Sequence, residues 1–240
     1  MPVCEYTPEE LAALMDYTLL KPDASEDEIR KLCFEAIDYG FCSVCVNPAN
    51  VALATALLAS SPVKVCSVVA FPLGASATEV KVFEARHCVY TGCDEIDIVA
   101  DIAGLISGDY RAVEKELAAV VAGARDAGRK SGRDIIVKVI IETALLPAKV
   151  IPEASRIVVN AGADFVKTST GFARPLGNVP SGATVEAVSL IKSAVGNAVG
   201  IKASGGIGSL EKSIALIRAG ATRLGVSSGV KIIEELRSCC

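Results

Sequence analysis

Three short stretches carry residue types able to do covalent chemistry. In Asp164-Phe165-Val166-Lys167-Thr168-Ser169-Thr170-Gly171 an apolar run ends at Lys167 and passes into a hydroxyl-rich turn closed by glycine. An ammonium is rarely carried fully inside a protein without a partner. Taken out of water it gives up its proton more readily, and the free amine adds to a carbonyl to form a Schiff base. The purely structural reading is a strand-end lysine that snorkels to water. A second stretch of similar make-up, Val199-Gly200-Ile201-Lys202-Ala203-Ser204-Gly205-Gly206, delivers Lys202. A third, Asp94-Glu95-Ile96-Asp97-Ile98-Val99, sets Asp97 between apolar residues. If these converge, protonated Lys202 favours a neutral amine at Lys167, and Asp97 balances the second ammonium and relays protons through water. Gly200 is expected to leave room beside Lys202. Asp94, three residues before Asp97, faces the other way and reads as a strand-entry carboxylate.

Lys138, flanked by apolar residues in Ile135-Ile136-Val137-Lys138-Val139-Ile140, needs a buried carboxylate, and Asp16 is a candidate. That pair reads equally as a structural tie and as part of the site. Gly205-Gly206, followed by Gly208-Ser209, and Gly225-Val226-Ser227-Ser228 each precede a helix start. Backbone N–H groups exposed there bind anions, and glycine lets an oxyanion approach the chain. Gly171 is a third contributor to such a seat. The lone histidine, His87, falls on a helical segment and reads as structural. Cys42 and Cys45 stand three apart on a strand, so they point to opposite faces and form neither a metal nor a redox pair. Cys239-Cys240 reads as a flexible thiol tail.

Eight apolar strand-like segments, each followed by a helical one, must position these groups. They are Tyr17 to Leu20, Phe41 to Val46, Lys64 to Val69, Glu95 to Val99, Ile135 to Ile141, Phe165 to Thr168, Gly200 to Ala203 and Arg223 to Val226. Strands alternating with helices imply parallel βαβ units, and eight of them predict a closed (β/α)8 TIM barrel. A short helix, Thr7 to Leu14, precedes the first strand. No linker or composition break divides the chain, so one domain over 1–240 is expected. An open dinucleotide-binding sheet would bring a glycine fingerprint after its first strand, and Leu20-Lys21-Pro22-Asp23 is not one. The long loop from Gly171 to Gly182 follows the Lys167 strand directly and is a candidate lid.

Of the 240 residues, 51% are hydrophobic, enough for a large core, and the formal charge is −4. That balance gives no electrostatic case for nucleic acid or an anionic membrane. The acidic start lacks the apolar run of a signal peptide. Several of the nine cysteines lie in apolar segments, which favours free thiols and a cytoplasmic location.

Asp16-Tyr17-Thr18-Leu19-Leu20-Lys21-Pro22, Phe71-Pro72-Leu73-Gly74, Asp94 to Val99, Lys138-Val139-Ile140-Ile141-Glu142-Thr143, Lys167 to Phe172, Gly182-Ala183-Thr184-Val185-Glu186, Lys202 to Gly206 and Gly225 to Ser228 run in one order across nearly the whole chain. In these motifs the sequence resembles the deoxyribose-phosphate aldolases, a family of class I (Schiff-base) lyases. The resemblance implies reversible cleavage of 2-deoxy-D-ribose 5-phosphate to D-glyceraldehyde 3-phosphate and acetaldehyde. It implies Lys167 as the Schiff-base lysine, Lys202 as the second lysine and Asp97 as the proton relay. Asp16, Thr18, Lys138 and Thr170 would line the site, and Gly171, Gly205, Gly206, Ser227 and Ser228 would hold the phosphate. No metal or organic cofactor is implied, and a homodimer or homotetramer is. Tyr17 departs from the histidine that commonly follows the aspartate of the first motif. Another phosphosugar aldolase or transaldolase, and a barrel that only binds a phosphorylated metabolite, remain the alternatives.

Overall fold

A computed structural model describes residues 5–174 and 181–239. Its strands are β1 (Met15–Leu19), β2 (Ser43–Val46), β3 (Lys64–Val69), β4 (Glu95–Val99), β5 (Ile136–Ile140), β6 (Phe165–Lys167), β7 (Gly200–Ser204) and β8 (Arg223–Val226). All pair in parallel and in chain order, and β8 returns to β1, closing the barrel. The helices are α1 (Pro8–Ala12), α2 (Glu26–Tyr39), α3 (Val51–Leu58), α4 (Thr78–Thr91), α5 (Ile102–Ser107), α6 (Tyr110–Lys130), α7 (Ile151–Asn160), α8 (Val185–Val195), α9 (Leu210–Arg218) and α10 (Gly229–Cys239). This is the (β/α)8 architecture expected from the alternation, with the short N-terminal helix in place. None of the described helices is long and apolar enough to cross a membrane.

Local chemistry explains the punctuation. Thr7 and Ser25 each form a reciprocal capping box, with Glu10 and Glu28, at the starts of α1 and α2. Gly40 ends α2 in the left-handed conformation that glycine adopts without steric penalty. Asp94 does enter its strand as a backbone partner: its Oδ2 accepts from Val65 N at 3.0 Å. Asp164 does the same for Val137 N at 2.8 Å. α5 is an addition to the expected pattern. Asp101 caps it by accepting from Gly104 N at 3.1 Å. Cys239 closes α10 rather than lying in a loose tail, and Cys240 is outside the described residues.

Side chains alternate across each strand, so the barrel wall has two chemically different faces. Val44 and Val46 of β2, Val65 and Val69 of β3, Ile96 and Ile98 of β4, Val137 and Val139 of β5 and Ile201 and Ala203 of β7 join the large apolar core packed under the helices. The alternate positions put Asp97, Lys138, Lys167 and Lys202 on the inner face. A small separate cluster of Leu20, Cys45, Cys66 and Val68 fills part of that interior. The fold therefore places its grease between sheet and helices and its charges at the axis.

Candidate active site

Register decides which charges meet. Asp97 pairs with Lys138 across β4 and β5, and Lys167 pairs with Lys202 across β6 and β7. Asp97 Oδ2 accepts from Lys167 Nζ and from Lys202 Nζ, both at 2.7 Å. Its other oxygen accepts from Lys138 Nζ at 2.9 Å. Asp16 Oδ2 lies 2.5 Å from Lys202 Nζ, and Asp16 Oδ1 accepts from Arg223 at 2.6 Å. Glu95 Oε2 lies 2.6 Å from Lys138 Nζ and 3.3 Å from Arg223. The expected meeting of Lys167, Lys202 and Asp97 thus occurs, on a single carboxylate oxygen.

Two members of this cluster, Glu95 and Arg223, escaped the sequence reading. The Asp16–Lys138 tie is correspondingly weak, at 3.6 Å, because Glu95 takes the close position on Lys138. Gly200 does not make room for Lys202; a side chain there would run into the Phe165 ring. Gly225 on β8 is the clearing, since a Cβ at that position would meet Lys202 Cε at 3.0 Å.

The cluster is buried, and burial opposes every charge in it. At Asp16, Asp97, Lys138, Lys202 and Arg223 the opposing charges win. Burial alone would raise the carboxyl of Asp97, but Lys138, Lys167 and Lys202 hold it well below the usual carboxylate range. Asp16 is likewise lowered, against burial, by Lys202, Lys138 and Arg223. The ammonium groups of Lys138 and Lys202 are raised, against burial, by the carboxylates they touch. Four cations, Lys138, Lys167, Lys202 and Arg223, face three carboxylates, Asp16, Glu95 and Asp97. Loss of one proton leaves the assembly neutral. Lys167 is the member that reaches the open cavity.

That cavity, of about 290 Å³, lies at the C-terminal ends of the strands. Thr18, Lys167, Thr170, Gly171, Gly205, Gly206 and Ser227 line it, as expected from the sequence, and Leu20, Lys21, Phe172, Ser204 and Ile207 join them. Asp16 and Lys138, named as site-lining, are fully buried and are not among the residues that line the cavity. Ser228 immediately precedes α10, its carbonyl accepting from Ile232 N at 3.1 Å, and it is not among the residues that line the cavity. Lys202 and Asp97 are fully buried, and Asp97 joins Lys202 to Lys167 through one shared oxygen. His87 stacks on Phe83, 6.3 Å between ring centroids, on the outside of α4.

The loop after β6 is tied down at both described ends. Glu142 Oε2 accepts from Thr170 N at 3.0 Å and from Thr170 Oγ1 at 2.5 Å. Burial raises the Glu142 carboxyl, partly opposed by these two donors. Phe172 packs edge-on against Phe71 at 5.3 Å. At the far end, Ala183 N donates to Ser204 O at 3.0 Å. Between them, residues 175–180, the tip of the segment named as a candidate lid, lie outside the described residues. A Cβ on Gly205 would meet Gly182 Cα at 3.0 Å and Gly171 Cα at 3.2 Å, so three glycine backbones abut at the cavity rim. Gly182→Ala would drive its methyl into the Gly205 carbonyl. We expect it to destabilise by about 2 kcal/mol and to lower kcat/KM by about tenfold or more, since a displaced rim misplaces the substrate. Thermal melting and steady-state kinetics check both effects; an alanine variant with unaltered kinetics would remove the glycine stack from the site.

Cys45, Cys66 and Asp97 bring three metal-type donors within 4.8 Å of one another. They fit a cation poorly. Three lysine ammonium groups already occupy Asp97, and Lys138 Nζ lies 3.4 Å from Cys66 Sγ. Burial raises the Cys66 thiol, which keeps it protonated.

A parallel barrel that gathers lysine amines and a shared carboxylate under a cavity at its C-terminal mouth has the architecture of a carbonyl-processing barrel enzyme. The DeoC/LacD family aldolase model matches residues 11–235. A relative from Thermoanaerobacter sp. (strain X514), named deoxyribose-phosphate aldolase, is 51% identical over 225 residues, 94% of this chain and 96% of that one. One of the same name from Thermococcus gammatolerans is 48% identical, covering 95% and 97%. A solved deoxyribose phosphate aldolase from Aeropyrum pernix, described as tetrameric, superposes with a TM-score of 0.85 at 36% identity, covering 98% and 94%. The chain belongs to the DeoC/LacD aldolase family.

Proposed function

We propose that this chain is a class I lyase that reversibly cleaves 2-deoxy-D-ribose 5-phosphate to D-glyceraldehyde 3-phosphate and acetaldehyde. The observation that carries the reading is the shared Asp97 oxygen, 2.7 Å from both Lys167 Nζ and Lys202 Nζ, beneath a cavity that only Lys167 of the three reaches. The substrate identity is that of the named relatives. Lys167 gives up a proton to water and adds through Nζ to the C1 aldehyde of the open-chain sugar; water leaves and an imine forms. The C3 hydroxyl loses its proton, the C2–C3 bond breaks, and its electron pair moves into the imine to give an enamine. Glyceraldehyde 3-phosphate departs. Protonation at C2 and hydrolysis then release acetaldehyde and regenerate the amine. Asp97 and Lys202, joined to the amine by hydrogen bonds, pass protons through water at each of these steps. The imine is the electron sink, so the cycle calls on no metal or organic cofactor. Gly171, Gly205, Gly206 and Ser227 offer backbone and hydroxyl donors to the phosphate.

Borohydride reduction in the presence of acetaldehyde tests this reading. It should add one ethyl group at Lys167, in an enzyme that also releases glyceraldehyde 3-phosphate from the deoxysugar phosphate. Imine formation without turnover of that sugar, but with turnover of another phosphosugar, would transfer the site to a different aldolase. We further infer one domain over 1–240, a cytoplasmic location and a homodimer or homotetramer. The seven described cysteines are free thiols, and α4 exposes Val80, Phe83 and Tyr90 beside Leu73. A monomeric mass in light scattering would reject the assembly.

A further inference from the structure

On the aldolase reading, on which this inference rests, the substrate brings a phosphate dianion to a rim made of uncharged groups. Gly171, Gly205, Gly206 and Ser227 supply donors but no formal charge. The described lining holds two cationic side chains, Lys167 and Lys21. Lys167 is committed to the carbonyl end. Arg174 is exposed and does not line the cavity, and two other cations are held on carbonyls of the glycine loop. Lys212 Nζ donates to Gly206 O at 2.8 Å, and Lys231 Nζ donates to Gly208 O at 3.0 Å. Neither lines the cavity. Residues 175–180 contain no basic residue.

Closure of the barrel brings Lys21 to the rim. Tyr17 of β1 pairs with Val226 of β8, so the chain leaving β1 runs beside Ser227. Thr18, Lys21 and Ser227 accordingly line both the main cavity and an adjoining groove that also contains Glu28, Lys31 and Glu35. Lys21 Nζ lies 3.6 Å from Glu28, a pair exposed on both sides and too long for a good hydrogen bond. Such a pair is weak and easily exchanged for a stronger anion. The Lys21 backbone is fixed by contrast, since its carbonyl accepts from Ala24 N at 3.3 Å.

We propose that Lys21 is the specificity-determining cation of this site: its ammonium leaves Glu28 and pairs with the substrate phosphate beside Ser227, selecting phosphorylated over unphosphorylated deoxysugar. The contact is made equally in ground and transition states, so it lowers KM and leaves kcat alone. A half-exposed charge pair of this kind is worth about five- to tenfold in binding. Glu28 competes with the phosphate for the same ammonium, so Glu28→Gln tightens binding while its amide preserves the capping box of α2.

The experiment is a kinetic comparison of wild type, Lys21→Ala, Lys21→Arg and Glu28→Gln on 2-deoxyribose 5-phosphate and on 2-deoxyribose, at low and high salt. Lys21→Ala should raise KM for the phosphorylated sugar by about five- to tenfold at low salt, with the gap shrinking as salt is added. Its kcat, and its kcat/KM on the unphosphorylated sugar, should stay within about twofold of wild type. Lys21→Arg should restore KM, and Glu28→Gln should lower it by about twofold. An equal loss on both sugars, or no change on either, overturns the proposal while leaving the aldolase reading intact. Should the wild type turn over neither sugar, the aldolase reading falls, and calorimetric titration with inorganic phosphate decides on Lys21. Binding weakened by Lys21→Ala supports the anion contact; equal binding, or none in the wild type, overturns it.

Discussion

Lys167→Ala is expected to lose the borohydride label completely and to lower kcat/KM by about 10⁴-fold or more, because Lys21, the other amine lining the cavity, stands at its exposed rim beside Glu28 and away from Asp97. Its effect on folding should be small, and the reason is electrostatic. Removing Lys167 takes one cation from a set of four that faces three carboxylates. The remainder is balanced, and Asp97 keeps Lys138 at 2.9 Å and Lys202 at 2.7 Å. The lost side chain was at the cavity floor, so water fills its place rather than a dry void. The melting temperature should therefore stay within a few degrees of wild type, on the order of the shift that about 1 kcal/mol produces in a chain of this size. Mass spectrometry after trapping reads the first effect and calorimetry the second. An ethyl group found on Lys202 in the alanine variant would move the nucleophile one strand over. The adjacent strands and the shared Asp97 oxygen make that the competing assignment worth excluding.

What the sequence revealed of this site, and what it hid, follows from the geometry of a closed barrel. Within one strand, faces alternate by a fixed rule, so Lys167, Lys202 and Asp97 could be assigned to interiors from the apolar residues around them. Their common level was legible only through the family motifs. Partner choice between strands depends on register, which no single strand encodes. Asp16 was accordingly matched to Lys138, whereas Glu95, two residues before Asp97 on the same face, makes the closer contact at 2.6 Å. Arg223 opens β8 and looked like an ordinary strand-entry residue; its guanidinium turns inward to Asp16 because β8 closes on β1. The same closure puts Gly225 rather than Gly200 beside Lys202. α5 was hidden by Gly104 in the middle of its six residues, a poor helix former whose N–H here donates to the capping Asp101 carboxylate. The helix and strand alternation was the robust part, since side-chain caps open α1, α2, α5, α6, α8 and α9 and left-handed glycines end α2 and α5.

Lys202→Met should have an opposite signature to Lys167→Ala, a severe loss of rate that alkali relieves. With Lys202 present, the assembly reaches neutrality when one amine is deprotonated. Without it, three cations already match three carboxylates, and a neutral Lys167 would leave a buried net negative charge around Asp16 and Asp97. Lys167 then holds its proton more tightly. A unit charge interaction at about 4 Å, with an effective dielectric of about 20, is near 4 kcal/mol, and relaxation and water reduce it by about half. That corresponds to a drop in kcat/KM of about 30-fold at neutral pH. The sign is fixed: the reacting species is the free amine, and loss of a neighbouring cation favours its protonated form, so the kcat/KM of the variant should climb toward that of wild type as pH is raised. Stability falls as well, by about 3 kcal/mol, because Asp16 and Asp97 each lose a buried partner. Asp16 retains Arg223 at 2.6 Å, which should keep the chain folded. Lys202→Arg supplies the second variant: it restores the charge without the compact ammonium, and its pH profile should sit near wild type even where its rate does not. A loss in Lys202→Met that is the same at every pH would show that Lys202 acts by contact with the substrate or by packing, and the charge-balance account of the amine would have to be given up.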